Sequence, residues 1–221
     1  MKNLFIITSV INAPDSPLSY TSVRSIYSSD KRYEQTLLTI QSIRDKVPDV
    51  SILIAECSKL SSVQEETLIK LCDYYVNLYD DDQDRKSIFG RSKSLGEGTL
   101  TIRAIEYIEE NKIHFDNLFK ISGRYLLNQY FDYKNNYDND CNIICTEPCN
   151  DESIYTFLYK TLYVHTSQLK KFLYDHIPLM QQCIGYEQLM KKFFHPLGNT
   201  KYITRLGVSG NIAVDGYVID R

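Results

Sequence analysis

Residues 117–125 read Asn-Leu-Phe-Lys-Ile-Ser-Gly-Arg-Tyr. The first five, Asn117–Ile121, have the short apolar pattern of a buried strand. The strand runs into Ser122, Gly123, Arg124 and Tyr125 with no turn that demands a glycine. A glycine there signals close approach of a ligand or of another backbone; the plain alternative is a surface Arg with a packed Tyr. Upstream, Gly96–Asn111 reads as a helix with Leu100, Ile102, Ala104, Ile105 and Ile108 on its apolar side. Three further apolar runs precede it: Leu4–Val10, Val50–Ala55 and Tyr74–Tyr79. Such continuous runs are typical of strands buried on both faces. Between them, Arg32–Asp45 carries Leu37, Leu38, Ile40 and Ile43 at helical spacing, and Pro48 closes it. A second helix starts at Ser61 or Ser62, has Glu65 and Glu66 in its first turn and runs to about Cys72. The order β-α-β-α-β-α-β defines an α/β protein with a doubly wound, mainly parallel central sheet flanked by helices. Ligands of such sheets bind outside the carboxyl ends of the strands.

The second half is less regular. Asn142–Cys145 and Thr156–Tyr159 read as strands, Thr166–Asp175 and Ile184–Phe194 as helices, and Ile203 and Val208–Val218 as short strands or loops. With 221 residues and no Ser/Gly- or Pro-rich linker, one domain is expected. A net charge of −3 argues against a nucleic-acid partner, which calls for a basic face. The 18 tyrosines against no tryptophan suit half-wet clefts, or reflect an AT-rich genome. Six cysteines lack paired spacing, and Cys141, Cys145 and Cys149 form no Cys-x-x-Cys pair, so reduced, mostly buried thiols are expected. Thr8 and Ser9 break the N-terminal apolar run, which reads as a first strand and not as a signal peptide. No run approaches the ~18 apolar residues of a membrane span.

The strand ends collect the chemistry. Thr8 and Ser9 end the first strand, and a polar loop follows with Arg24 and Arg32, which either bind phosphate or pair with Asp30 and Glu34. After the third strand, Asp80–Asp84 contains two Asp-x-Asp spacings, suited to Mg²⁺ or Mn²⁺, or is a solvated charge run. Arg91–Gly98 resembles a phosphate-cradling turn at a helix N-terminus, with Lys93, Ser94 and Gly96 facing the anion; the alternative is an ordinary N-cap turn. It is not a P-loop, because the Gly-x-x-x-x-Gly-Lys-Ser/Thr order is absent. Glu187 lies on the Ile184–Phe194 helix and is a candidate general base, or an exposed partner of Lys191 at i+4. His195 and Asp215 are further cleft candidates.

This layout resembles the GT-A glycosyltransferase fold, in which a β/α nucleotide-binding half precedes an irregular acceptor half. Lys93–Tyr125 carries the likeness: Lys-Ser-Leu-Gly-Glu-Gly-Thr, a helix, then a strand where such enzymes have a metal-binding Asp-x-Asp. The chain is also similar to small glycosyltransferase-like domains of large viruses and bacterial surface-glycan clusters. The resemblance implies a nucleotide-binding half at 1–127 and an acceptor half at 128–221. It implies transfer of a sugar from a nucleoside-diphosphate sugar, UDP first, to a glycan or glycoprotein. The donor would be held by Thr8, Ser9, Arg24, Asp80, Lys93, Ser94, Gly96, Ser122 and Gly123, with Arg124 and Glu187 catalytic. The chain departs from the pattern at Ser122-Gly123-Arg124, which stands where Asp-x-Asp is expected. The expectation is therefore that no cofactor is required and that Arg124, with Lys93 or Arg91, neutralises the diphosphate. The alternative places Mn²⁺ or Mg²⁺ on Asp80 and Asp82. Two other readings stay open: a sugar-nucleotide nucleotidyltransferase, against which the glycine-free loop Ile11–Tyr20 counts, and an inactive nucleotide-sugar-binding module. A cytoplasmic location is expected, in the host cytoplasm if the source is viral.

Overall fold

The computed structural model describes residues 1–147 and 150–220. The chain opens with β1 (Asn3–Ser9), α1 (Ser29–Lys46), β2 (Val50–Glu56), α2 (Ser62–Leu71) and β3 (Tyr74–Asn77). It continues through α3 (Asp82–Phe89), α4 (Lys93–Glu110), β4 (Asn117–Ser122) and β5 (Tyr125–Leu127). A short π-helical turn (Tyr133–Tyr137) leads to β6 (Asn142–Glu147), β7 (Asn150–Leu162), α5 (Tyr163–Asp175), α6 (Ile177–Gln181) and α7 (Tyr186–Phe194). β8 (Thr200–Ile203), β9 (Val208–Asn211) and β10 (Val218–Asp220) end the fold.

The main sheet has seven strands in the order β3-β2-β1-β4-β7-β6-β8, and β10-β9-β5 form a smaller sheet. β1 pairs in parallel with β2 and β4, in registers Asn3↔Val50 and Asn3↔Asn117. β7 runs antiparallel to both its neighbours, β4 and β6. Strands from both the first and the second half thus build one sheet. Every residue of β1 is buried. Leu4 and Ile6 pack with α4, α5 and α7 on one face, while Phe5 and Ile7 pack with Ile40 and Ile43 of α1 on the other. Side chains alternate along a strand, so a central strand needs apolar residues at both parities.

Several boundaries differ from the sequence expectations, each for a local reason. Asp80–Asp84 is not a loop. Asp81 caps α3, its carboxylate accepting from the backbone N–H of Gln83 and of Asp84, both at 2.9 Å. Asp82 and Asp84 fill the first turn, where the helix dipole favours negative charge. α4 begins at Lys93, capped by Ser92, so Gly96 lies inside the helix and not in a phosphate-cradling turn. A Cβ on Gly96 would stand 2.9 Å from the carbonyl oxygen of Ile88, and one on Gly98 would meet the Met180 sulfur. Both glycines let α4 pack closely on its neighbours. α1 starts at Ser29 because Ser28 caps it, accepting from Lys31 N–H. The Thr156–Tyr159 strand is the middle of the much longer β7. Short α3 and α6 were not anticipated.

Among the described cysteines, Cys57, Cys72, Cys141 and Cys183 are free. Only Cys57 and Cys145 are buried, and Cys183 is exposed, so the thiols are less buried than their number implied. Cys149 lies outside the described residues. Among those residues no helix is long and apolar enough to cross a membrane.

Candidate active site

β1 and β4 are neighbours from which the chain departs in opposite directions across the sheet, a topological switch point. Their carboxyl ends lie together: the N–H of Gly123 donates to the carbonyl of Thr8 at 3.0 Å. Two clefts open there and share Lys93, Glu97, Ser122 and Arg124. The narrow one, about 90 Å³, is lined also by Thr8, Ser9, Arg24, Gly96 and Gly123. The wide one, about 1120 Å³, adds Ser94, Lys120, Glu187 and His195. The fold therefore brings together nearly all the donor residues expected from the sequence, and puts Glu187 in the same space as Arg124.

Asp80 and Asp82 line neither cleft. Asp82 pairs with Arg85, and the neighbouring Asp84 pairs with Arg103 at 2.8 Å. Among the described residues no three His, Cys, Asp or Glu side chains gather as they would in a site held by protein ligands alone. The strand end itself presents Ser122, Arg124, Lys93 and Lys120, and cationic side chains do not ligate a divalent cation. Ser122-Gly123-Arg124 puts no carboxylate at the position where the fold resemblance places the metal ligands.

Arg24 lines the narrow cleft but is already engaged. Its Nε donates to the Ser16 carbonyl at 3.1 Å, Nη1 to Ile88 at 3.3 Å and Nη2 to Phe89 at 2.9 Å and to Gly90. It thereby ties the segment 16–24 to the carboxyl end of α3. The anticipated pairing with Asp30 or Glu34 is not formed; Glu34 pairs with Lys31 at 2.9 Å. Arg32 donates to the Val10 carbonyl at 2.7 Å and to Ser25 Oγ at 3.3 Å. Glu56, fully buried at the end of β2, accepts from the N–H groups of Ile11 and Cys57 at 3.1 and 3.0 Å and so shapes the turn after β1. Burial pushes its carboxyl above the usual range.

Gly123 answers to packing. A Cβ there would lie 2.8 Å from Thr36 Oγ1 of α1. Gly123→Ala is expected to destabilise the ligand-free protein by about 1–3 kcal/mol, the usual cost of overpacking. Urea unfolding without ligand measures this; an unchanged midpoint would return Gly123 to a purely ligand-facing role.

Two residues of the site went unnoticed in the sequence. Lys120, buried in the middle of β4, contacts the Glu97 carboxylate, which also accepts from Thr8 Oγ1 at 3.1 Å. Burial and then Arg124 push the Lys120 ammonium down, and the charge of Glu187 opposes that push. A lysine inside an otherwise apolar strand was the available signal. Lys93 reaches solvent, yet the surrounding protein and then Arg124 push its ammonium down to about 8. Arg124 forms no ion pair among the described residues; its Nη1 lies 3.5 Å from the Asn211 carbonyl and its guanidinium 5.2 Å from the Tyr125 ring. Ser94 Oγ is buried without a hydrogen-bond partner among the described residues. Glu187, exposed to the cleft in the first turn of α7, accepts from Thr156 Oγ1 at 3.2 Å. Asp215 lies on an exposed loop and accepts from Tyr217 N–H at 3.0 Å.

A central, mostly parallel sheet with a polar, cation-rich crevice at its switch point is an α/β arrangement that receives anionic ligands. Comparison with solved structures identifies the fold. The chain is similar to the glycosyltransferase LgtC, seen as an active-site mutant, with a TM-score of 0.54, 10% identity, and 91% of this chain and 72% of that one covered. LgtC is also known in complex with donor and acceptor sugar analogs. GlyE of Streptococcus pneumoniae TIGR4, a glycosyltransferase, matches with a TM-score of 0.51 at 8% identity, covering 92% of this chain and 45% of that one. A nucleoside-diphosphate-sugar pyrophosphorylase from Vibrio cholerae RC9 matches with a TM-score of 0.54 at 9% identity, covering 93% of each chain. No protein-family model matches the sequence, and no curated protein matches it either. The chain has the GT-A fold.

Proposed function

We propose that this protein transfers a sugar from a nucleoside-diphosphate sugar, with UDP as the first candidate carrier, to a glycan or glycoprotein acceptor. Residues 1–127 hold the nucleotide and 128–221 the acceptor, within one domain working in the cytoplasm. The observation that carries the reading is the gathering of Lys93, Ser94, Ser122 and Arg124 at the carboxyl ends of β1 and β4. In a chain of net charge −3 these cations are concentrated where the fold class binds ligands. Arg124 and Lys93 face the diphosphate and neutralise the charge that grows on it as the glycosidic bond breaks. Glu187 takes the proton from the acceptor hydroxyl. No metal takes part. A nucleotidyltransferase reading has the Vibrio structure in its favour, but the loop after β1 carries no glycine up to Tyr20.

The test is thermal unfolding with UDP, ADP and GDP, each with and without Mn²⁺. At a hundred times the dissociation constant, the bound nucleotide is expected to stabilise the protein by about 2.7 kcal/mol. Binding is expected to weaken as pH rises through about 8, where Lys93 loses its proton. The anion prefers the protonated form, so affinity is full below that pH and falls above it. If none of the three nucleotides shifts the transition at millimolar concentration, the reading fails. Turnover of a UDP-sugar then separates an enzyme from an inactive binding module.

A further inference from the structure

α7 turns a polar stripe to the wide cleft. Glu187, Gln188, Lys191, Lys192 and His195 all line it, whereas Leu189, Met190, Phe193 and Phe194 are buried beneath. Positions 187, 191 and 195 share one helix face. With a rise of 1.5 Å per residue, Lys191 and His195 stand about 6 and about 12 Å along the axis from Glu187. Cations complement the carboxyl end of a helix, but that accounts only for their place along α7, not for their facing the cleft.

The same cleft is lined by an aromatic group. Tyr155 and Phe157 of β7 stack with ring centroids 5.2 Å apart, and Tyr125 meets Phe157 edge-on at 5.3 Å. Tyr20 and Tyr186 also line it. Aromatic faces of this kind receive the C–H faces of sugar rings. At about 1120 Å³ the cleft exceeds the ~300–1,000 Å³ of ordinary small-molecule sites, so it has room for more than one sugar ring beside the donor's. Among the described residues, the carboxylates lining it are Glu97, tied to Lys120, and Glu187.

We infer that the acceptor is an anionic glycan. Its sugar rings lie on Tyr155 and Phe157, its reacting hydroxyl is at Glu187, and a carboxylate or phosphate further along the chain meets Lys191, Lys192 and His195. This rests on the proposed transfer reaction, with Glu187 as base. The shared chemistry is a fixed negative charge on a carbohydrate; uronic acid and phosphorylated sugars are its two sources.

Trigalacturonate against its fully methyl-esterified form, and 6-phosphorylated maltotriose against maltotriose, test it by calorimetric titration of the UDP-loaded protein. At least one anionic probe is expected to bind ten times or more tighter than its neutral partner, with affinity falling as salt is added. Lys191→Glu/Lys192→Glu is expected to abolish the preference while UDP still stabilises the variant. Should that variant not fold, Lys192→Gln/His195→Gln is expected to lower the preference at least threefold. Equal binding of charged and neutral probes, or binding of none while UDP still stabilises the protein, overturns the inference and leaves the donor reading standing. Loss of UDP stabilisation in the wild type removes the donor reading itself, and this inference with it.

Discussion

Glu187→Gln is expected to lower kcat by two to four decades while leaving the affinity for the nucleoside diphosphate unchanged. A positioned general base contributes about 10²–10⁴ in rate, or about 2.7–5.4 kcal/mol of barrier at 1.36 kcal/mol per decade. Glutamine keeps the shape of the side chain and still accepts from Thr156 Oγ1, 3.2 Å away in the native protein. What it loses is the basic oxygen. Glu187 lines the wide cleft and not the narrow one, so the nucleotide itself does not depend on it. The checks are steady-state turnover of a UDP-sugar and thermal shift with UDP, each for both proteins. A kcat within threefold of the native value would remove Glu187 from the chemistry and point to a retaining transferase, which needs no base at this place.

Arg124→Ala is expected to weaken donor binding by one to two decades. A hydrogen bond to a charged group is worth about 1.5–3 kcal/mol. Arg124 forms no ion pair among the described residues, and beyond the long 3.5 Å contact from Nη1 to the Asn211 carbonyl its guanidinium is available to a diphosphate. Arg124→Lys restores the charge but not the two parallel donors and should recover only part of the loss. Activity should survive a chelator. Asp82→Asn should leave turnover unchanged, because Asp82 pairs with Arg85 at the start of α3 and lines neither cleft. Complete loss on chelation, with Arg124→Ala nearly normal, would sink the metal-free reading in favour of Mn²⁺ or Mg²⁺ on acidic residues.

The cation cluster also shows how far a site can be read in one dimension. Thr8, Ser9, Ser122, Gly123 and Arg124 were legible because each follows an apolar run, and strand ends are where this architecture binds ligands. Glu97 was not, because a carboxylate between Gly96 and Gly98 looks like turn chemistry until the helix is known to start at Lys93. Lys120 was hidden for a related reason. A charged residue in a strand reads as a tolerated exception, and only the sheet places it beside Glu97. The acidic segment is the opposite case: its Asp-x-Asp spacing matches a metal motif, yet Asp80 and Asp82 line neither cleft and Asp84 pairs with Arg103.

The sequence by itself determined the layered α/β class and the parallel sense of β1, β2, β3 and β4. Apolar runs and helical spacing are local patterns, and right-handed crossovers leave few ways to connect them. Local pattern does not say which strand lies next to β4. Tertiary structure decided that β7, far along the chain, runs antiparallel beside it, and that α7 then turns Glu187 towards Arg124. Those placements are set by which apolar faces bury each other across long stretches of chain. No window of neighbouring residues contains that information.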